Sequence, residues 1–208
     1  MTALAHEVSP AVTDHSASEL DEVLWEAWKA MDLPEGYRAE IIEGSIEVSP
    51  TGRRRHGILI GRVRRALEAH LTDADLGVHH DVNVIHERKS WIPDLFVAPL
   101  DLEEIPDEDG LGVAAHGVLM VVEVVSPGRQ NTQRDRIRKR REYARAGIPV
   151  YVLVDDFDRD GAVVVLTSPD PREAAYTDEH RVPYGKDAVL PEGTAAGGLV
   201  IGDAITGP

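Results

Sequence analysis

Between Leu119 and Val125 every residue is apolar except one acid, Glu123, and the run ends at Ser126-Pro127-Gly128. A short Val-rich run closed by turn formers predicts a strand covered on both faces. An unpaired carboxylate there would cost several kcal/mol, so Glu123 needs a cation, a metal or a solvated edge. The pattern alone leaves a functional site and a structural ion pair both open.

The rest of the chain takes its order around this strand. Residues 1–18 are small, polar and aperiodic and read as a disordered tail. Helical spacing of Leu20, Val23, Leu24, Ala27 and Trp28 predicts a helix over 19–31. Tyr37 to Val48 read as a hairpin turning at Glu43-Gly44. A second helix is expected from Arg53 to Leu71, with Ile58, Val63, Ala66, Leu67 and Ala69/His70 near one face. Strands follow at Val78–His86 and Trp91–Ala98, the latter disrupted by Pro93. Residues 99–116 are an acidic surface loop. Gln133 to Ala146 should be helical, with Thr132 as N-cap and Gly147 at the C-terminal end. Val150–Val154 and Ala162–Leu166 are further strands. The pattern leaves 191–208 open between a tail and an edge segment. Helix, hairpin, helix, three strands, helix and two strands make an α/β or α+β domain over 19–190 with a mixed sheet.

Composition narrows the function. The chain has 208 residues and no cysteine, which excludes disulfides and thiolate metal sites. No apolar run approaches the ~18 residues of a membrane span. No basic-then-apolar leader opens the chain, so a cytoplasmic protein without membrane partners is expected. The net charge of −15 argues against coating nucleic acid wholesale, but it is unevenly spread. Residues 128–145 hold eight Arg/Lys and two acids, and Arg53, Arg54, Arg55, Arg62, Arg64 and Arg65 form a second basic group. Either cluster alone is explained by a solvated helix face. Together they point to a phosphate-bearing ligand.

A second acid, Asp94, sits among Trp91, Ile92, Leu95, Phe96 and Val97. If its strand neighbours Leu119–Val125, two buried carboxylates meet, and they cannot both stay ionised without a cation. Oxygen ligation favours Mg²⁺ or Mn²⁺. Asp94 capping a local turn at Pro93 is the bland alternative. Asp135, Lys139 and Tyr143 are spaced by four, so a stripe that buries Tyr143 also carries Lys139 inward. A surface Asp135–Lys139 pair is the competing reading. Glu40 is another acid beside apolar residues, and His56 is a candidate site neighbour. The nine histidines include no His-x-x-x-His pair, which argues against zinc, and there is no phosphate-loop or nucleophile-elbow motif.

These residues, in this order, resemble the Uma-two family of restriction-endonuclease-like proteins, within the PD-(D/E)XK nuclease superfamily. The matching blocks are Tyr37–Gly44 with Ser49-Pro50, His56, Ile92-Pro93-Asp94, Val122–Pro127, Arg134-Asp135, Lys139, Tyr143, Gly147-Ile148-Pro149 and Tyr151–Asp155, spanning about 19–170. The resemblance implies a restriction-endonuclease-like αβββαβ core, a homodimer and a Mg²⁺-dependent phosphodiesterase site. Asp94 and Glu123 match the acidic pair. The motif lysine would fall at Val125, where this chain departs from the pattern, and Lys139 on the next helix matches its relocated form. Glu40 matches an additional family acid. The expectation is therefore a metal-dependent DNA endonuclease. Asp94, Glu123 and the Val124 carbonyl would hold the ion, Lys139 would orient the attacking water or stabilise charge on phosphorus, and Glu40 would hold a second ion or a metal-bound water. Arg53, Arg54, Arg55, Arg134 and Arg138 would position phosphates. A silent nucleic-acid- or protein-binding module and a small-molecule phosphoesterase are the alternatives.

Overall fold

The computed structural model describes residues 15–50 and 52–207. The expected tail lies mostly outside these residues, but its last part is not extended: helix α1 already runs over His15–Lys29. Its buried stripe also differs from the expectation. Trp25 is the buried residue and Leu24 and Trp28 are partly covered, whereas Leu20 and Val23 face outward. Trp28 anchors the helix by donating its indole N–H to the Ala39 carbonyl at 2.9 Å.

Strands β1 (Tyr37–Ile42) and β2 (Ser45–Pro50) form the expected hairpin. Its turn holds Glu43 and Gly44 at φ 44° and 72°, which suits the two-residue loop that matches strand twist. Helix α2 (Arg54–His70) buries His56, Leu59, Val63 and Leu67. The expected stripe through Ile58 and Ala69 is thus rotated, because the leucines rather than Ile58 face the sheet.

The two strands expected at 78–86 and 91–98 are each split. Leu76–His79 forms β3 and Val84–His86 forms β4, with Asp81 at φ 56° between them. Lys89–Trp91 forms β5 and Leu95–Pro99 forms β6. Pro93 removes a ladder donor, and the chain crosses from one sheet to another at Ile92-Pro93-Asp94. The acidic loop contains a short strand, β7 (Val113–Ala114), parallel to β4. Strand β8 (Met120–Val124) is followed by α3 (Arg129–Gln133), a wide π-helical turn (Arg134–Lys139) and α4 (Arg140–Arg145). The helix therefore begins earlier than expected. Gly128 at φ 105° precedes it, and Thr132 lies inside it without capping.

Strands β9 (Val150–Asp155) and β10 (Ala162–Asp170) continue the sheet, and β10 turns back as β11 (Ala175–Pro183). The sequence hides β11 because Thr177–Arg181 are exposed and polar. Residues 188–207 are ordered into β12 (Ala188–Val189), β13 (Val200–Ile201) and α5 (Asp203–Thr206), and Ala196, Leu199, Ile201 and Ile205 join the main core.

The main sheet has the order β11-β10-β9-β8-β6-β3 and the smaller one β2-β1-β5-β4-β7. Only β8 and β9 are parallel within the main sheet, which makes it mixed. β8 lies between β9 and β6, so its apolar residues are covered on both faces. Val122 and Val124 face α2 and the C-terminal segment. Val121 and Val125 face Tyr143, Tyr151 and the smaller sheet, and Glu123 shares their side of the strand.

Candidate active site

The register of β6 against β8 sets the site. Leu95 pairs with Val122 and Phe96 with Val121, so one step further Asp94 falls opposite Glu123. Asp94 Oδ2 accepts the Val124 N–H at 2.8 Å, which ties the carboxylate to the end of β8 where the β6 ladder stops. Both carboxylates are almost wholly buried. Glu40 arrives from β1, and its Oε1 accepts the Ile92 N–H at 2.8 Å.

Lys139 reaches these acids from the π-helical turn. Its Nζ lies 2.8 Å from Glu123 Oε1 and 2.8 Å from Glu40 Oε1, and the side chain has no exposed surface. The Tyr143 hydroxyl donates to the same Glu123 oxygen at 2.6 Å. The inward reading of the Asp135–Lys139–Tyr143 stripe therefore holds, and the surface-pair reading does not. Asp135 is also buried, gripped by Arg134 Nε at 2.8 Å. Wide helical turns are rare and concentrate at functional sites; here one turns Arg134, Asp135 and Lys139 all inward.

The charges are unequally compensated. Burial pushes the Glu123 carboxyl up, and although Lys139 opposes this, Asp94, Asp135 and Glu40 reinforce it, leaving it at about 7. Lys139 divides one positive charge between two carboxylates, so it gains from both and is raised despite its burial. Burial also acts on Asp94, but the His56 hydrogen bond and charge, with Arg38 and Lys139 behind them, bring it down to about 2. His56 Nε2 stands 3.0 Å from Asp94 Oδ2 and Arg38 Nη2 3.4 Å from Oδ1. His56 itself is raised: burial disfavours its charge, and Asp94 and Glu123 more than offset this.

The basic clusters divide. Arg134 lines a cavity of about 180 Å³ together with Arg38, Arg53 and His56. Arg54 is exposed at the start of α2. Arg55 is not brought to the site: it holds Asp156 at 3.0 Å and the carbonyls of Thr206 and Gly207 at 2.7 and 2.8 Å. Arg138 clamps the β1–β2 hairpin through Glu43, Glu47 and the Ser45 hydroxyl. Its guanidinium also donates to the Ile42 carbonyl, and the side chain lines a depression beside Arg134.

Asp94 and Glu123 fit a hard divalent ion by donor chemistry, since Mg²⁺ commonly takes only one or two carboxylates and completes its shell with water and substrate phosphate. Among the described residues no three His, Cys, Asp or Glu side chains gather at ligand spacing. Asp94 and Glu123 thus stand side by side, with His56 hydrogen-bonded to the one and Lys139 to the other.

A family model, Uma2, described as "Putative restriction endonuclease", matches residues 25–196. The chain belongs to the Uma2 family. Among solved structures it resembles a protein of Anabaena variabilis described as a putative nuclease belonging to DUF820, with a TM-score of 0.64 at 14% identity, covering 88% of this chain and 97% of that one. At that identity the likeness establishes the shared fold. No curated protein matches the chain.

Two residues beside Asp94 were legible to different degrees. Arg38 sits beside Glu40 in sequence and meets Asp94 only because β1 and β6 converge. His56 was recognised as a neighbour without a partner; its position three residues before Leu59 on the buried stripe of α2 is the signal that places it inward.

Proposed function

We propose that this Uma2 chain hydrolyses phosphodiester bonds in DNA with Mg²⁺ or Mn²⁺ held by Asp94, Glu123 and the Val124 carbonyl. The observation that carries this reading is the fully buried Lys139 between Glu123 and Glu40, beside Asp94 and a cationic cavity. When bound, the ion supplies Lewis acidity toward the scissile phosphate and lowers the pKa of an attacking water. Lys139 holds its ammonium at fixed position, ready to orient that water or to offset charge building on phosphorus. Glu40 positions Lys139, and Tyr143 fixes the Glu123 carboxylate. Arg134, Arg53 and Arg54 bind phosphates, which sets register without reading sequence.

The test is cleavage of plasmid and single-stranded DNA with Mn²⁺, with Glu123→Gln as control. Loss of Mn²⁺-dependent cleavage in the variant is expected. Equal cleavage by both proteins would identify a contaminant and remove the proposal.

One observation favours a second reading, a silent binding module: Lys139, His56 and Arg38 already compensate the acids without a metal. A Mn²⁺ titration separates the two, since such a module has no need to take up the ion.

A further inference from the structure

Resting on the nuclease reading, we infer that the structure contains a track for the backbone of duplex DNA: an uncleaved phosphate seats in the cavity beside Asp94, and the strand continues over the bare face of α2. The cavity of about 180 Å³ is lined by Arg38, Arg53, His56 and Arg134, with Ser49 and Asn131, and among the described residues no carboxylate lines it. In a chain of net charge −15, that is a local reversal of sign. Two buried polar atoms of these side chains, Arg38 Nε and Ser49 Oγ, have no hydrogen-bond partner among the described residues. Buried donors are ordinarily satisfied, so both side chains keep hydrogen-bonding capacity that the fold does not use.

The cavity does not stand alone, which distinguishes a polymer from a free anion. On one side a depression of about 310 Å³ shares Arg38 and His56, touches Asp94 and extends to Arg64, His80 and Asp81, the last two hydrogen-bonded to each other. On the other a depression of about 410 Å³ shares Ser49, Asn131 and Arg134 and is lined also by the paired Arg138 and Glu47. The floor toward α2 includes Gly57 and Gly61, with open space where each Cβ would stand. Glycines four apart on a helix face let a ligand backbone approach closely. Apart from imidazoles, no aromatic ring lines these three depressions. Single-strand binders stack bases on aromatic platforms, so this lining suits phosphate and sugar, with the bases turned away into a duplex.

The experiment is binding of a fluorescent duplex oligonucleotide in Ca²⁺, together with cleavage in Mn²⁺, by the full chain. Gly61→Glu places bulk and negative charge on the track while improving helix propensity. Ser49→Asp puts an anion in the cavity, and Gly61→Ala is the conservative control. Gly61→Glu and Ser49→Asp should each weaken duplex binding by about tenfold or more, with melting temperatures near wild type, whereas Gly61→Ala should bind as wild type. Wild-type affinity in both charged variants, with cleavage intact, would overturn the track and leave the nuclease reading standing. Tighter binding of the single strand than of the duplex would overturn the backbone assignment. A wild-type chain that neither binds nor cleaves DNA would overturn both.

Discussion

Lys139 Nζ stands 2.8 Å from Glu123 Oε1, sixteen residues apart in sequence and with neither side chain open to solvent. The helix that follows the central strand thus returns a cation to the one acid the strand contains. Because Glu40 draws on the same ammonium, the arrangement is a triad, with Lys139 at its centre.

Removing that centre should be costly. Lys139→Met leaves Glu40 and Glu123 facing each other in the core, and the expected loss is roughly 3–5 kcal/mol at pH 8. At pH 6 the loss should be smaller, since Glu123 then takes up a proton. Urea denaturation at both pH values checks this, and a change under about 1 kcal/mol at each would show that the triad carries little of the stability.

Glu123→Gln should behave differently. Lys139 keeps Glu40, and the amide oxygen can still accept from Tyr143, so metal-free stability at pH 7 should change by about 1 kcal/mol or less. Any Mn²⁺-induced rise in melting temperature should vanish. Thermal melts with Mn²⁺ and with EDTA measure both. Strong destabilisation in EDTA with no Mn²⁺ response in the wild type would leave only a structural ion pair.

Two acids should give opposite pH signatures. The Glu123 carboxyl lies at about 7 against an ordinary 4.5, so the folded state holds an extra proton between these values. That contribution to stability is present at low pH and is lost as pH rises through about 7, while divalent-ion affinity, which needs the carboxylate, increases over the same range. Asp94 is lowered from 3.8 to about 2, so its contribution is complete above 3.8 and disappears as pH falls through about 2. It amounts to roughly 2 kcal/mol at neutral pH. Denaturant midpoints from pH 2 to 8 for wild type, Glu123→Gln and Asp94→Asn would separate the two slopes.

The arginines should sort by partner. Arg138→Ala unties the hairpin and should destabilise by roughly 1–3 kcal/mol; although Arg138 lines the depression beside Arg134, Glu43 and Glu47 already neutralise it, so the salt dependence of DNA binding should stay as in the wild type. Arg53→Ala and Arg54→Ala should each reduce the slope of log affinity against log salt by about 0.9 with little effect on stability. A flattened slope in Arg138→Ala would return that residue to the binding surface.

By itself the sequence determined the central strand, the hairpin at Glu43-Gly44, the helical character of the basic stretches and the acids that had to find partners. These are local matters: a Val-rich run, a two-residue turn and a four-residue stripe are each written within a few neighbouring positions. The stripe carried Lys139 inward because Tyr143 shares it and must be buried. Tertiary structure decided what depends on distant chain segments. The split at Ile92-Pro93-Asp94 is one such case, since a broken strand and a strand that changes sheets have the same pattern until the second sheet exists. The pairing of His56 and Arg38 with Asp94 is another, because it requires α2 and β1 to arrive at the end of β6. The basic residues show the limit most plainly. Arg55, Arg134 and Arg138 carry the same charge on helical stretches, yet Asp156, Asp135 and Glu43 claim them for different tasks; Asp135 is Arg134's own neighbour in sequence, whereas only the folded chain brings Asp156 to Arg55 and Glu43 to Arg138.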